Sequence, residues 1–373
     1  MLAGPAGLAT VGDVGRARAD ADAAGLWPNP ALRLERQSGP ILDQSKGSQD
    51  FVAVEFPLAL SGRLGLTRDA AGRRVDAAVI EARQTRARLA REAIEVFVDV
   101  VGGERRTRAL DEERARLAPV VEAARRRADA GETATAVALR LELELARVDD
   151  EVAAARTAVA SSRRRAEALV NGPVPAFADV LPTAKSVASS VSGPAPVLAL
   201  QKRAEAAGLE EEAAGRRIIP DVVVGGGPSL LNTGSPEFSV GYLVTVGVEL
   251  PLFDRGQGDA ARARAERTAL DAERSALSQR LDGARAEAAE RARGAQERSA
   301  AFGVAVERAA GLFDAAARDL TVGSGDVVAF VDTASTLREA RLQLVGLQEA
   351  SARADADLSF FNGALESSPE PAR

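Results

Sequence analysis

The chain has 373 residues, a formal net charge of −6, no histidine and no cysteine. The absence of histidine excludes catalytic triads and imidazole metal sites, and the absence of cysteine excludes disulfides and thiolate ligands. The acidic balance provides no basic surface for nucleic acid. Aromatic residues make up only 3% of the chain, too few for a large globular core, which favours helices packed along alanine-rich seams.

The chain begins with a predicted short helix, from about residue 12 to 25, which a glycine and two prolines end. Alternating apolar and polar residues predict strands at 31–37 and 50–56, separated by a polar loop. Leu32 and Leu34 share one face of the first strand. In the second strand, one face carries Val52, Val54 and Phe56, and the other carries Phe51, Ala53 and Glu55.

A long helical pattern follows from about residue 62 to 129, a rod of roughly 100 Å. The pair Gly102-Gly103 interrupts it and predicts a bend or a change of winding. After a turn at Gly131, a return helix carries apolar residues at alternating spacings of three and four, which is typical of a coiled coil. These seam residues are Leu141, Leu145, Val148, Val152, Ala155 and Val159.

The second half of the chain repeats this order. It predicts a helix at 197–215, strands at 221–225 and 238–250, a helix at 256–320 and, after Gly323, a return helix. Gly225-Gly-Gly-Pro228 is interpreted as the start of a loop. The return helix has its predicted seam at Leu337, Ala340, Leu344, Leu347, Ser351, Ala354 and Leu358. The last strand alternates most clearly, with one face formed by Val240, Tyr242, Val244, Val246, Val248 and Leu250.

The two halves are related by duplication. The segment 246–256 aligns without gaps to 52–62, with six identical residues. We therefore predict a first repeat at 1–171, a connector rich in proline, glycine and serine at 172–196, a second repeat at 197–363 and a tail at 364–373. Each repeat contributes a short helix, two strands and a long helical hairpin. Four strands cannot close a barrel, so the strands either pair with other copies or form a small sheet on the helices.

The chain resembles TolC-type outer membrane efflux proteins. The resemblance rests on the order of elements, on Leu26-Trp-Pro-Asn-Pro-Ala-Leu32, on Val-Glu-Leu-Pro-Leu-Phe at 248–253 and on the turn at 322–328. The Trp-Pro-Asn-Pro segment and Pro-Leu-Ala-Leu-Ser-Gly-Arg at 57–63 are most similar to outer membrane components of heavy-metal resistance pumps. The resemblance implies a homotrimer whose twelve strands form one barrel in the bacterial outer membrane. Its helical hairpins would cross the periplasm to meet an adaptor protein and an inner-membrane efflux transporter.

The resemblance also implies roles for particular residues. Asp332, at the position of an aspartate at the family's constriction, and the nearby Asp326 are candidate gate residues; alternatively, such a carboxylate is a solvated group at the start of a helix. The candidate adaptor contacts lie in the two turns. They are Gly131, Glu132, Thr133, Gly323, Ser324 and Gly325. The alternative is that glycine there serves only the reversal of the chain.

Two further sets of residues belong to the predicted barrel wall. Glu55 and Glu249 occupy equivalent places on polar faces, where a trimer would place six carboxylates around the lumen, unless each carboxylate only hydrogen-bonds near the rim. The predicted lipid-facing residues are Val52, Val54, Phe56, Tyr242, Val244, Val246 and Val248.

The predicted function is a passive exit duct that carries substrates, metal cations among them, to the exterior. The alternative is a soluble periplasmic coiled-coil structural or adaptor protein. An enzyme is disfavoured, since no phosphate-binding loop and no nucleophile with a histidine partner is present, and no cofactor or metal site is predicted. The first ten residues lack the basic start and apolar core of a signal peptide, so the export signal is expected to be missing from this sequence.

Overall fold

The structure, a computed structural model, describes residues 5–41, 45–174, 181, 194–232, 239–322 and 325–365. These residues form six α-helices, four β-strands and one short 3-10 turn. In chain order the elements are α1 (Pro5–Ala23), β1 (Ala31–Ile41), β2 (Ser45–Leu58), α2 (Arg63–Asp129), α3 (Thr135–Val170), α4 (Ala195–Gly215), the 3-10 turn (Arg216–Ile218), β3 (Asp221–Asn232), β4 (Ser239–Glu249), α5 (Gln257–Val322) and α6 (Val327–Phe361). The predicted mixed fold with four strands and long helices is confirmed.

The chain divides into two compact units, each built from both repeats. One unit combines residues 10–82 with 195–277 and holds the sheet, and the other combines 83–194 with 278–373 and the first nine residues. The long helices α2 and α5 contribute residues to both units. The predicted repeats are therefore units of sequence, while each compact unit takes matching parts from the two repeats.

The four strands form one antiparallel sheet in the order β1-β2-β3-β4. Three strands, β1, β2 and β3, are longer than predicted. The polar segment between the first two strands pairs as a ladder, with Gln37 opposite Gln49 and Ser38 opposite Ser48, and Gly225 to Pro228 lies within β3. The interpretation of these segments as loops was wrong, because backbone pairing continues wherever a partner strand is in register, whatever the side chains.

The helical unit has a core built by four helices. Leu117, Leu141, Phe313 and Phe330 are almost completely buried, and the rings of Phe313 and Phe330 lie 5.3 Å apart between centroids. The remaining large members of the core are Leu110, Val120, Val121, Val148, Val152, Val306, Val331 and Leu337. The hairpins α2–α3 and α5–α6 thus share one apolar core.

The structure adds to two predictions about the helices. α2 continues as a helix through Gly102-Gly103, where a Cβ at Gly102 would overlap the Glu349 carboxylate of α6 and a Cβ at Gly103 would crowd Val159 of α3. This glycine pair therefore allows close helix packing. In α6, the buried positions after Leu337 depart from the predicted seam, because this helix contacts α2, α3 and α5. The buried positions are Arg338, Val345, Glu349, Ala352, Asp355 and Ala356.

Equivalent glycines precede the two long helices. Gly62 and Gly256 lie 194 positions apart, and each has a left-handed backbone, with φ of 70° and 80°. At Gly256 the space is also closed, because a Cβ there would overlap the carbonyl oxygen of Ala214, and its N–H donates to Asp254 Oδ1 at 2.9 Å. Both the backbone conformation and the close approach thus require glycine.

We predict that Gly256→Ala lowers the free energy of unfolding by about 1–3 kcal/mol, because alanine is strained at positive φ and its Cβ meets backbone. Gly258→Ala is the matched control, since a Cβ there has open space inside α5. It should leave stability unchanged or raise it by up to about 1 kcal/mol. Thermal unfolding of both variants checks the difference, and equal midpoints would contradict the account.

Candidate functional site

The register of the sheet separates its residues into two faces by the parity of their numbers. Odd residues oppose odd residues in all three strand pairs, such as Arg33 with Ala53 and Gly225 with Thr245, and even residues oppose even residues. Because neighbours opposite each other in a sheet point to the same side, all odd positions form one face and all even positions the other. We call these the odd face and the even face.

The even face is mainly apolar and exposed to solvent, with Arg36, Asp50, Ser38 and Ser48 as polar members of the first strand pair. All seven residues predicted to face lipid lie on it, and Tyr242, Val244 and Phe56 are 91%, 76% and 53% exposed. The face also contains apolar residues outside the predicted lipid-facing set. These are Leu32, Leu34, Leu58, Val222, Val224, Leu230 and Val240. Leu32 and Leu34 alternate with polar residues, which was a signal for this face. The glycine run at 225–227 interrupts the alternation in β3, so the sequence did not indicate that Val222, Val224 and Leu230 share this face.

The odd face is small and polar. Gly225, Gly227, Gly241 and Gly247 lie on it, and Ala53 is almost completely buried. At Gly227 a Cβ would overlap the carbonyl oxygen of Val52 on the neighbouring strand. Glycine at this place lets the strands approach more closely than any side chain would allow, which explains why the run is part of β3.

The two predicted lumen carboxylates have different surroundings on the odd face. Glu55 accepts a hydrogen bond from Arg33 at 3.2 Å, and its side chain is 20% exposed. Glu249 lies opposite Asp221 and is exposed, with no ion pair among the described residues. Asp221 in turn pairs with Arg63 at 2.7 Å. Sequence reasoning found both glutamates but missed the arginine that neutralises one of them.

The turn between α2 and α3 ends α2 with backbone hydrogen bonds. Gly131 has φ of 75°, the N–H of Glu132 donates to the carbonyl of Arg127 at 2.9 Å, and the N–H of Gly131 donates to Ala128 at 3.0 Å. This pair of bonds is the Schellman motif, which needs a left-handed residue where Gly131 stands. Glu132 and Thr133 follow directly, so all three predicted residues of this turn lie together.

The turn between α5 and α6 is described in part. Gly323 and Ser324, both predicted adaptor contacts, lie outside the described residues. Gly325 and Thr133 line one cavity of about 220 Å³ together with apolar residues of α2, α3, α5 and α6, so the two turns are neighbours.

The two predicted gate residues differ in their hydrogen bonds. Asp326 caps α6, since its Oδ1 accepts from the backbone N–H of Val328 at 2.9 Å. Asp332 lies in the second turn of α6, exposed, and its carboxylate makes no ion pair within the described part of the chain. Asp332 therefore presents a free negative charge, whereas Asp326 already has a structural partner.

A buried ionic cluster lies inside the helical unit, and sequence reasoning missed it. Arg338 of α6 contacts Glu144 at 2.6 Å and Glu113 at 3.4 Å through Nη1, and Glu151 at 3.3 Å through Nε. Arg338, Glu113 and Glu144 are each less than a tenth exposed. Glu144 lies between the seam residues Leu141 and Leu145. A charged residue beside an apolar seam was the sequence signal that could have indicated a buried ion pair. The cluster joins α2, α3 and α6 with more negative than positive charge.

This excess charge affects Glu113 most. Burial raises the pKa of Glu113 from 4.5 to about 7, against the opposing effect of Arg338 and Arg341. The nearby carboxylates Glu151 and Glu144 raise it further. Because a folded-state pKa above the ordinary value favours the protonated form, Glu113 stabilises the fold only while it is neutral.

Among the described residues, no helix is long and apolar enough to cross a membrane. Residues 196–364 match the family described as outer membrane efflux protein. This match spans the second repeat of the chain. The predicted family is thereby confirmed, and it is a family of export channels. No curated protein sequence matches the chain.

Solved structures extend the likeness to nearly the whole length of the chain. A membrane protein from Pseudomonas aeruginosa has a TM-score of 0.76 at 17% identity, over 95% of this chain and 89% of that chain. The outer membrane protein VceC of Vibrio cholerae has a TM-score of 0.76 at 16% identity, over 96% and 93%. The outer membrane channel MtrE of Neisseria gonorrhoeae, in its open state, has a TM-score of 0.68 at 14% identity, over 96% and 86%. At these identities the likeness establishes the fold.

The raised pKa of Glu113 predicts a pH-dependent effect of Glu113→Gln. The unfolded chain titrates near 4.5 and the folded chain near 7, so stability is lost as pH rises through 7. The neutral variant should gain up to roughly 2–3 kcal/mol at pH 8 and little at pH 5.

Thermal unfolding at the two pH values measures this gain. Glu112→Gln, on the exposed side of α2, is the control and should show no pH-dependent gain. A destabilised Glu113→Gln at pH 8, or an equal shift at both pH values, would show that the buried charge is not the cause.

Proposed function

We propose that this protein is the passive exit duct of a tripartite pump. Three copies form one channel through the outer membrane, with helical hairpins extending into the periplasm. An adaptor protein and an inner-membrane transporter meet the hairpin turns, and the transporter supplies the energy. The observation that carries this proposal is a four-stranded sheet with one apolar face, one polar face and two open edges.

The sheet supports assembly into a trimer. β1 and β4 each have one side without a partner strand in the described structure, and four strands cannot close on themselves. A polar backbone edge in lipid would cost several kcal/mol for each unsatisfied group, which favours pairing with a neighbouring copy. Three copies supply twelve strands, and an even number of antiparallel strands is what bacterial barrels use. The even face would then contact lipid and the odd face would line the lumen.

The helices support a periplasmic extension. α2 has 67 residues and α5 has 66, so each is about 100 Å long. Both run from the strands to the turns that carry the predicted adaptor contacts. We propose Gly131, Glu132, Thr133 and Gly325 as adaptor contacts, together with the predicted Gly323 and Ser324. Their support is the cavity that Thr133 and Gly325 share, which offers a small recess at the hairpin ends, lined by apolar residues and by Arg127.

The gate is proposed at the start of α6. Asp332 is exposed and free of ion pairs among described residues, so three copies would bring three uncompensated carboxylates together. Asp326 belongs to the same proposed gate, although its carboxylate also caps the helix. Metal cations are among the proposed substrates, supported by the four carboxylates and one arginine of the odd face.

The alternative of a soluble coiled-coil adaptor is disfavoured by the even face. A soluble monomer rarely exposes an apolar surface that spans four strands. This surface is explained when lipid covers it.

The proposal is tested by producing the protein with a signal peptide and extracting it from outer membranes. The expected result is a detergent-soluble trimer that conducts ions in planar bilayers. A protein that stays soluble as a monomer or dimer and never conducts would refute the duct and favour the adaptor alternative.

We predict that Asp332→Ala lowers the preference of the channel for cations over anions on the order of twofold, since it removes charges from the narrowest region. Glu307→Ala, an exposed carboxylate of α5, is the control and should leave the preference unchanged. Reversal potentials in a KCl gradient measure both. An unchanged preference in Asp332→Ala would place the gate elsewhere.

A further inference from the structure

The odd face of the sheet carries a single basic residue. Among the odd positions of the four strands, Arg33 stands against four carboxylates, namely Glu35, Glu55, Asp221 and Glu249. Its two terminal nitrogens contact different partners, Nη1 with Glu55 Oε1 at 3.2 Å and Nη2 with Glu35 Oε2 at 2.8 Å. One guanidinium therefore lies between both carboxylates of the first strand pair.

The second repeat lacks this arrangement. The position equivalent to Arg33, 190 residues later, is Val223, and the equivalent of Glu55 is Glu249. Glu249 has no ion pair among the described residues and faces Asp221 across the strand pair. The two repeats share their backbone and their glutamate, but in only one of them is the glutamate compensated by an arginine.

Side-chain pairs within the strand confirm that Arg33 belongs to the odd face. Gln37 Nε2 donates to Glu35 Oε1 at 2.8 Å, so residues 33, 35 and 37 form one row of contacts. On the opposite, even face of the same strand, Arg36 pairs with Asp50 at 3.0 Å. β1 thus carries two arginines, each paired to a carboxylate of β2, on opposite faces of the sheet.

We propose that Arg33 sets the ion selectivity of the channel wall by holding Glu55 in an ion pair, which leaves Glu249 as the unpaired glutamate of the lumen. This inference rests on the proposed duct, in which the odd face lines the lumen. In a trimer, three arginines would alternate with three uncompensated Glu249 carboxylates around the wall. A wall of this kind attracts cations yet lets anionic and neutral solutes pass, because it is far less negative than its carboxylates alone would make it.

The test uses trimers extracted from outer membranes and reconstituted in planar bilayers, with reversal potentials measured in a tenfold KCl gradient. Arg33→Gln should raise the ratio of potassium to chloride permeability on the order of twofold, because one positive charge per copy is lost from the wall. The double variant Arg33→Gln with Glu55→Gln restores the wall charge and should return the ratio towards that of the wild type. Arg36→Gln, the matched variant on the even face, should not change it.

The same variants are measured again with Asp332→Ala added. This removes the proposed gate carboxylates, so that the measured ratio depends on the wall. Val223→Arg gives the second repeat the arginine it lacks and should lower the ratio, so it tests the idea even if Arg33→Gln fails to assemble. Conducting trimers in which Arg33→Gln and Val223→Arg both keep the wild-type ratio would overturn the assignment of Arg33. A wild-type protein that never conducts would overturn the duct itself, and the role of Arg33 with it.

Discussion

The hydrogen bonds at the two sheet edges are the constraint on which the rest of the structure depends. A four-stranded antiparallel sheet leaves one row of backbone groups unpaired on β1 and another on β4. The even face beside these rows is apolar at most of its positions in all four strands, which suits contact with lipid. Lipid is also the surrounding in which an unpaired strand edge is most unfavourable. Only pairing between copies satisfies both requirements, and each copy offers two complementary edges for it.

The other face follows from the same constraint. If the sheet closes with its even face outward, the odd face becomes the crowded, concave side, and small residues are needed where strands approach most closely. Gly227 has no room for a Cβ above the carbonyl of Val52, and Ala53 is almost completely buried. The odd face also carries charged side chains, and Arg33 bridges two of its carboxylates. Close strand approach thus explains the glycines of the odd face, and its charged side chains would determine which ions a lumen lined by this face attracts.

The sequence was informative where a signal is local. The alternation around Val54 and Val246 predicted the apolar face correctly, and the duplication predicted four strands and two long hairpins. It failed where the cause was a distant partner. The run from Gly225 to Pro228 resembles a loop by composition, but β2 and β4 hold it as a strand from both sides. Gly102-Gly103 resembles a break, but Glu349 and Val159 explain it as a close approach.

The charged residues show the same division. Arg338 lies on a helix whose apolar spacing predicts a seam, and nothing nearby in sequence indicates that Glu113 and Glu144 meet it, since they belong to two other helices. Arg33 alternates as a strand residue should, but its role depends on Glu55, which the register brings next to it. Patterns of period two or seven locate such residues on a face, and only the tertiary structure shows which charges remain unpaired.

Pairing between β4 of one copy and β1 of the next is tested most directly by engineered disulfides, since the chain has no cysteine. Val246→Cys would be combined in turn with a cysteine replacing Leu32, Leu34, Arg36 or Ser38, all on the even face of β1. Within one copy these strands are separated by β2 and β3, roughly 14 Å across the sheet and beyond the reach of a disulfide. The account predicts that, after oxidation in the outer membrane, one position or two adjacent ones give covalent dimers and trimers, while the others do not. Folded, membrane-extracted protein that forms no intermolecular disulfide at any of the four positions would contradict it.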